Sequence, residues 1–297
     1  MFIIKYKKIF FAIAIILVGG SLITMIARGF NVGVDFTGGS LLEVTYDTRP
    51  AISDINAHLA PVITGAEVVN SGTADVMVRT KPIDEATKNS ILTALSFDSY
   101  HATEKQFTTI GPSVGRELRS KAILSVILVS LIIIMFIAFA FRKVAKPISS
   151  WTYGLIAIVV LVHDVAVPAG FFSLFHLQVD TLFVVGLLTI LGVSINDTIV
   201  VFDRIRENLH VHETKHTNED FAHIVGKSIN QTFVRSIMTS LTVLIALAAL
   251  YLFGPETTHT LSIAMFLGMF FGTYSSIFLA APLLVVWNNR KMKKAGK

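Results

Sequence analysis

The chain contains Gly192-Val193-Ser194-Ile195-Asn196-Asp197-Thr198-Ile199-Val200-Val201-Phe202-Asp203-Arg204, a stretch that begins as an apolar helix and ends as a charged one. Asp197 lies in the apolar part, several residues before the charges at positions 203–207. If this segment crosses a bilayer, an ionised Asp197 at hydrocarbon depth costs at least ~2.5 kcal/mol on insertion scales. The residue therefore needs a protein or water partner, and it indicates either a proton or ion site or a structural polar contact between helices.

Long apolar blocks place this stretch in a polytopic membrane protein. The chain has 297 residues, 53% of them apolar, and a mean hydropathy of +0.67. A transmembrane helix needs about 20 mostly apolar residues, and six such blocks occur, at residues 9–27, 122–141, 151–175, 182–202, 233–253 and 261–287. The first block is too long for the apolar core of a signal peptide, so we interpret it as an uncleaved span. The chain has no cysteine, which excludes disulfides and thiolate metal sites.

Residues 29–118 form a long polar section between the first two spans. β-branched, partly alternating segments predict strands, and segments with helical spacing predict helices, in the order strand 41–46, helix 50–59, strand 66–70, strand 76–79, helix 83–95 and strand 105–110. This order is typical of a small ferredoxin-like α+β domain. We therefore expect a six-span α-helical membrane protein divided into 1–28, an extracytoplasmic α+β domain 29–118, and a five-span domain 119–297.

The distribution of Lys and Arg predicts the orientation in the membrane. Basic residues occur in the N-terminus, in the 142–146 loop, in the 203–232 loop and in the tail 288–297, whereas the turns 176–181 and 254–260 have none. The positive-inside rule then places both termini in the cytoplasm. The basic pI of 9.4 reflects this topology and contact with anionic lipid, and we expect no nucleic-acid binding.

Within the 203–232 loop, a short helix is predicted at the membrane surface. Thr217 and Asp220 have the spacing of a capping box, and an apolar stripe follows at residues 221–229. His210, His212 and His216 lie just before it, and the last two have the i, i+4 spacing of metal ligands on a helix. Because the sequence places no third ligand beside them, we expect a solvated loop and no metal site.

Helical spacing places Ser194, Asp197 and Thr198 on one face of the fourth span, with Asn196 adjacent. The fifth span carries a polar stripe of Gln231, Arg235 and Thr239, flanked by Thr232, Ser236 and Ser240. Since these two spans run in opposite directions, Asp197 and Arg235 are predicted at similar depth, where each stabilises the charge of the other. Protonation of Asp197 would remove its negative charge and so the attraction between Asp197 and Arg235. The alternative for Arg235 is a side chain that extends to the membrane interface.

Two further features of the spans carry predictions. Asp164 lies in the third span beside His163 and near Pro168, and is either a second protonatable site or a packing contact. The sixth span has small residues at four-residue spacing, which allow close helix packing against a helix of this chain or of another: Ala264, Gly268, Gly272, Ser276 and Ala280. No P-loop, Rossmann glycine pattern or H-E-x-x-H motif occurs, so we expect no cofactor and no use of ATP by this chain.

Glycine-rich segments flank the α+β section. The first contains Gly33, Asp35, Gly38 and Gly39, and the second contains Gly111, Pro112 and Gly115. Glycine permits turns and close approach of backbones. The two segments are either ordinary turns or a joint that lets the outer domain tilt.

Five of these segments together resemble the SecD/SecF family of protein-export membrane proteins: residues 33–39, 111–117, 163–165, 194–207 and the polar positions of 230–240. They occur in the family's order over nearly the whole chain. Val193 is a departure, because such sequences often have Tyr there, but it does not affect the charged positions.

The resemblance implies a six-span half of a resistance-nodulation-division type transporter in the bacterial cytoplasmic membrane. It implies work with SecD beside the SecYEG channel, with YajC and YidC as further partners and a translocating preprotein as the substrate. Asp197 and Arg235 match the positions that the family is thought to use for proton coupling. We therefore expect a non-enzymatic accessory subunit that uses proton-motive force in export, with a small-molecule or lipid exporter of the same superfamily and a passive membrane scaffold as alternatives.

Overall fold

The computed structural model describes residues 2–141, 148–215 and 219–295. It divides into two compact units, a helical unit of Met1–Asn31 and Leu124–Lys297 and an α+β unit of Val32–Ile123. The predictions for the basic loop 142–146, for His216 and for Thr217 lie outside the described residues.

The elements run in chain order as α1 (Phe2–Lys5), α2 (Lys7–Arg28), β1 (Asn31–Val32), α3 (Val34–Thr37), β2 (Gly39–Thr45), α4 (Ile52–Leu59), β3 (Glu67–Ser71), β4 (Asp75–Thr80), α5 (Glu85–Leu95), β5 (Thr103–Ile110), α6 (Pro112–Ala140), α7 (Ser150–Leu174), β6 (Gln178–Val179), α8 (Thr181–Lys215), α9 (Phe221–Phe253), a 3₁₀ turn (Glu256–Thr258), α10 (His259–Tyr274), a π-helical turn (Ser275–Ala280) and α11 (Ala281–Ala295).

The α+β unit is built on a four-stranded antiparallel sheet with strand order β3-β4-β2-β5. Successive side chains of a strand point to opposite faces, and β2 therefore directs Leu42 and Val44 towards the two helices. In β4, Val78 pairs with Leu42 and Val76 with Val44. The buried helix positions complete the core: Ile55, Leu59, Ile91 and Leu95. The predicted ferredoxin-like element order is confirmed.

Six helices among the described residues are long and apolar enough to cross a membrane: Lys7–Arg28, Pro112–Ala140, Trp151–Leu174, Thr181–Lys215, Phe221–Phe253 and Glu256–Lys293. The predicted fold class, a six-span helical membrane protein with one small α+β region, is confirmed. The third and sixth segments are the most buried within the chain, and both carry polar residues that are described below.

The 203–232 segment differs from the predicted loop. Helix α8 continues to Lys215, and α9 already begins at Phe221, directly after Asp220, whose side chain makes no capping hydrogen bond. The apolar stripe predicted to lie at the membrane surface is instead buried in the same core cluster as the C-terminal half of α8. The apolar spacing continues past the end of the span in both helices, so they bury these residues against each other and not in lipid.

The small residues of the sixth span pack against α8 of the same chain. A Cβ added to Gly268 would lie 2.0 Å from Cδ1 of Ile190, and one added to Gly272 would lie 3.0 Å from Oγ of Ser194. A Cβ added to Gly186 of α8 would lie 3.1 Å from Cβ of Ala264. The contacts advance in the same direction along both helices, so α8 and the sixth span run parallel at a distance that only small residues permit.

Candidate proton-coupling site

Asp164 is the most enclosed carboxyl group of the helical unit, because its exposed fraction is 0%. It lies on α7, where Nδ1 of His163 is 2.9 Å from its Oδ1. The hydroxyl of Ser194, on α8, donates a short hydrogen bond to its Oδ2. Asp164 therefore joins the third and fourth spans, and the sequence, which left it as either a second site or a packing contact, gave no sign of the Ser194 contact.

The hydroxyl network continues from Ser194 into the sixth span. Ser276 donates to the Ser194 carbonyl oxygen at 3.2 Å, and its hydroxyl lies 2.8 Å from that of Thr198. Ser276 belongs to the π-helical turn, a feature that often occurs at functional sites. The four-residue spacing predicts only a packing role for Ser276, and no signal in the sequence predicts the π-helical turn.

Asp197 forms a second, looser cluster. Its side chain is half-buried, and its Oδ2 lies 3.5 Å from the Ser240 hydroxyl of α9, the upper limit for a hydrogen bond. The same hydroxyl lies 2.8 Å from the Ser236 carbonyl oxygen, so the two acceptors share one proton. Thr273, from α10, donates to the Ser240 hydroxyl at 2.6 Å. Asp197 therefore links the fourth, fifth and sixth spans through neutral hydroxyl groups. Ser240 was identified from sequence only as a flanking residue, and Thr273 was missed.

The Arg235 charge acts on the Asp197 carboxylate, as their predicted proximity implies. The two side chains do not form a direct ion pair, because Arg235 makes none within 4.0 Å to any described residue. The reason is the register of the two antiparallel helices. Ser240 lies beside Asp197, and Arg235 is five residues away on α9, which is roughly 7.5 Å along the helix axis.

The polar stripe of α9 is also rotated from its predicted position. The residues that face the chain's interior are Ser228, Thr232, Ser236 and Ser240, all small and buried. Gln231, Arg235 and Thr239 are exposed, as is Asn196 of α8. Small hydroxyl residues let α8 and α9 approach closely, whereas the longer Gln and Arg side chains remain outside the contact.

Gln231 also has a different role from the predicted one. Its Oε1 accepts hydrogen bonds from Nε of Arg204 at 2.8 Å and from Nδ2 of Asn208 at 2.9 Å. Thr239 donates to the Arg235 carbonyl oxygen of its own helix at 2.9 Å. Gln231 therefore fastens α9 to the charged end of α8, away from Asp197.

The glycine segments of the α+β unit pack directly on each other. Gly38 has φ +76°, and a Cβ there would lie 2.7 Å from Cα of Pro112. A Cβ on Gly115 would lie 2.7 Å from the Gly38 nitrogen. Gly39, with φ +147°, approaches the Thr80 carbonyl oxygen in the same way. These three glycines are therefore needed for close backbone contact.

The remaining residues of the two segments are less constrained. Gly33 precedes α3 with an ordinary extended backbone, Asp35 lies in the first turn of that helix, and an added Cβ on Gly111 has only one neighbour, at 3.9 Å. Their role as a joint stays a prediction.

Two models of one protein family match this chain. Residues 89–290 match the family described as protein export membrane protein SecD/SecF, C-terminal, and residues 23–48 match the SecD/SecF GG motif. The chain belongs to the SecD/SecF family. It is 37% identical to protein translocase subunit SecF of Sebaldella termitidis, over 99% of this chain and 94% of that protein. It is 38% identical to the subunit of the same name of Thermobaculum terrenum, over 97% and 94%.

Solved structures of SecDF show the same fold. The crystal structure of SecDF from Thermus thermophilus, described as a translocon-associated membrane protein, matches with a TM-score of 0.85 and 31% identity over 96% of this chain. A SecDF structure in a super-membrane-facing form matches with a TM-score of 0.67 and 32% identity over 98% of this chain. This chain spans only 38% of either SecDF chain.

Proposed function

We propose that this chain is an accessory subunit of the Sec preprotein translocase that couples proton movement at Asp197 and Asp164 to late-stage polypeptide export together with SecD. The role in Sec translocation rests on the family and on relatives named as translocase subunits. The observation that supports the coupling is that two carboxyl groups at membrane depth join different spans through hydroxyl groups, with no Lys or Arg within 4.0 Å among the described residues.

Hydroxyl partners make these acids suited to a change of protonation. A carboxylate accepts a hydrogen bond from a serine hydroxyl, whereas a protonated carboxyl group also has a proton to donate. Gain of a proton at Asp164 therefore changes the donors and acceptors available to Ser194, and the effect extends to Ser276 in the π-helical turn. Passage of one charge across 100 mV supplies about 2.3 kcal/mol, which biases a two-state movement roughly 50-fold.

The exposed stripe of α9 supports association with a second transporter half. Arg235 lies within an apolar span, and a cation on lipid-facing surface costs about 2.5–3.5 kcal/mol on insertion scales. A partner that supplies an acceptor group beside Arg235, with Asn196 and Thr239 at the contact rim, removes that cost. SecD is the partner that the family implies, and YajC and YidC remain further candidates.

The proposal includes movement of the α+β unit. The contact between the segments 33–39 and 111–115 gives a compact junction at which the chain enters and leaves that unit. The existence of a SecDF structure described as a super-membrane-facing form supports more than one arrangement in the family. We propose a multi-pass protein of the bacterial cytoplasmic membrane, with both termini cytoplasmic and the α+β unit outside, driven by proton-motive force without a bound cofactor.

The test compares Asp197→Asn and Asp164→Asn with Asp203→Asn in membrane vesicles. Asp203 is an exposed acid on the same helix as Asp197 and pairs with Arg206, so its loss controls for the change of charge. We expect the first two variants to lose the proton-driven part of export, by roughly 50-fold, while co-purification with SecD is retained. Asp203→Asn should export normally.

Normal proton-driven export by both Asp197→Asn and Asp164→Asn would contradict the coupling and leave a passive scaffold. Loss of co-purification with SecD in these variants would instead assign the two acids to assembly.

A further inference from the structure

The helical unit contains an open apolar groove of about 720 Å³ between the first, third and sixth spans. Its walls are formed by α2 from Phe11 to Leu22, by α7 from Leu155 to His163, and by α11 with the end of the π-helical turn. Among the described residues that line it, His163 and Arg290 have an ionisable side chain, and the rest are apolar or glycine. Several wall residues are exposed, including Ile15, Val159 and Val162.

The two ends of the groove differ in chemistry. Arg290 lies at one end, exposed and without an ion pair to any residue that the structure describes. Trp287 lies one turn before it on α11 and is 42% exposed. Tryptophan and arginine at the end of a span mark the level of the lipid headgroups. α11 has no acidic residue, and Lys291 and Lys293 lie close by in sequence.

We propose that this groove binds the acyl chain of an anionic phospholipid, with the lipid phosphate at the Arg290 guanidinium. Arginine presents several donors to a phosphate in a fixed geometry. The apolar wall runs from Arg290 to Leu279, which is roughly 16 Å of helix, and accepts a flexible hydrocarbon chain along its length. The inference is independent of the proton-coupling proposal.

The charge at the end of the groove favours an anionic lipid over a basic protein segment. A hydrocarbon chain is thin and adapts to irregular walls. Binding of a positively charged peptide segment at this end is opposed by Arg290 and its basic neighbours.

Two adjacent glycines provide a matched pair of variants. Gly19 lines the groove and Gly20 does not, and a Cβ added at either position meets nothing within 4 Å. Gly19→Leu therefore places a side chain in the groove from a position with open space at its Cβ, whereas Gly20→Leu makes the same change of residue type beside it. The gain in helix propensity is the same for both variants.

The experiment uses the full-length protein in phosphatidylcholine vesicles with a trace of phosphatidylglycerol that carries a photoactivatable group on one acyl chain. Labelled peptides are mapped by mass spectrometry. We expect labelling of α2, α7 and α11, reduced at least about fivefold in Gly19→Leu and unchanged in Gly20→Leu. Equal labelling in Gly19→Leu would overturn the proposal.

The headgroup is tested by competition with unlabelled lipid and by reversal of charge. Phosphatidylglycerol should compete about fivefold better than phosphatidylcholine, and Arg290→Glu should abolish this preference while Lys293→Glu retains most of it. Equal competition by both lipids in the unmodified protein would overturn the assignment of an anionic headgroup. A photoactivatable amino acid at Val159 that cross-links to another protein in native membranes, and not to lipid, would show that a partner occupies the groove.

Discussion

The buried acid Glu43 of the α+β unit and the buried acid Asp164 of the helical unit have different surroundings. In the α+β unit, Lys105 donates to both Glu43, at 2.9 Å, and Asp75. Glu43 also accepts a hydrogen bond from Ser71 at 3.3 Å, and its side chain is only 4% exposed. In the helical unit, Asp164 is fully buried, and its polar partners among the described residues are His163 and the hydroxyl of Ser194.

This difference separates acids that hold a fold together from acids that are suited to change charge. A lysine shared by two carboxylates is attracted to both of them, because opposite charges stabilise each other. The hydroxyl of Ser194 donates a hydrogen bond to Asp164 but carries no compensating charge.

The largest difference in export is expected when an aspartate is replaced by asparagine in each of the two units. Asp164→Asn removes a titratable group that no Lys or Arg compensates, and should reduce proton-driven export by roughly 50-fold. Asp75→Asn removes a group whose charge stays fixed and should leave export within about twofold of normal. The measurement is export into vesicles with and without a proton gradient. Equal losses in the two variants would remove the distinction.

The next effect concerns the stability of the α+β unit. Lys105→Met leaves Glu43 buried without its cation, which should cost about 2 kcal/mol, a modest value because Lys105 is 44% exposed. Hydrogen exchange at the amides of β2 should then be faster, measured by mass spectrometry of the full-length protein. The double variant with Glu43→Gln should recover most of the protection, and failure to recover would indicate that the lysine acts through packing.

The change in stability of the α+β unit with pH should be smaller still. Burial raises the pKa of Asp75, but hydrogen bonds from Lys105 and Thr45, together with the Lys105 charge, outweigh it and hold the pKa below its usual range. Because the folded-state pKa is lowered, the stabilisation is present above about pH 4 and is lost as the pH falls through the folded-state value.

Lys105 should cause a loss of stability of the α+β unit at alkaline pH. Its hydrogen bonds to Asp75 and Glu43 raise its pKa, so its contribution is complete below about pH 10 and is lost as the pH rises through the folded-state value. Calorimetry of the full-length protein should therefore show a plateau between these limits. Asp75→Asn should reduce the loss of stability at acid pH. An unchanged loss in that variant would contradict the role given to Asp75.

The smallest effect is the difference in export between loss of the Ser240 hydroxyl near Asp197 and loss of the Ser194 hydroxyl beside Asp164. Ser240→Ala removes a hydrogen bond at the distance limit and should reduce proton-driven export about twofold, whereas Ser194→Ala removes a short bond to a buried acid and should reduce it about tenfold. Both changes delete a single hydroxyl group from a helix. The reverse ranking would make Asp197, and not Asp164, the more tightly coupled acid.

The extent of sequence-based prediction differed between the two units for a physical reason. Strand and helix positions of the α+β unit follow from local alternation and helical spacing, so the order of β2, α4, β3, β4, α5 and β5 was correctly predicted. The six spans follow in the same way from apolar length. The extension of α8 through 203–215 was missed, because its polar residues resemble a loop until α8 and α9 pack together. The short helix predicted over 221–229 is instead the first part of α9.

The candidate site was predictable only as far as residue type and helix face allow. Asp197, Asp164 and Ser194 were identified because polar groups in apolar segments are conspicuous. Asp197 and Arg235 interact electrostatically but form no direct ion pair, since depth along two helices does not fix their register. The contact between Ser276 and Thr198 depends on the π-helical turn, for which the sequence has no recognised signal.

The sequence by itself determined six membrane spans, the α+β element order and the presence of unusual acids within apolar helices, because these depend on local composition and spacing. Only the tertiary structure decided which groups meet: Asp164 with Ser194, Asp197 with Ser240, and Gly268 with Ile190. The physical reason is that rotation and register of packed helices are set by side-chain fit across the whole interface, and no single helix contains that information.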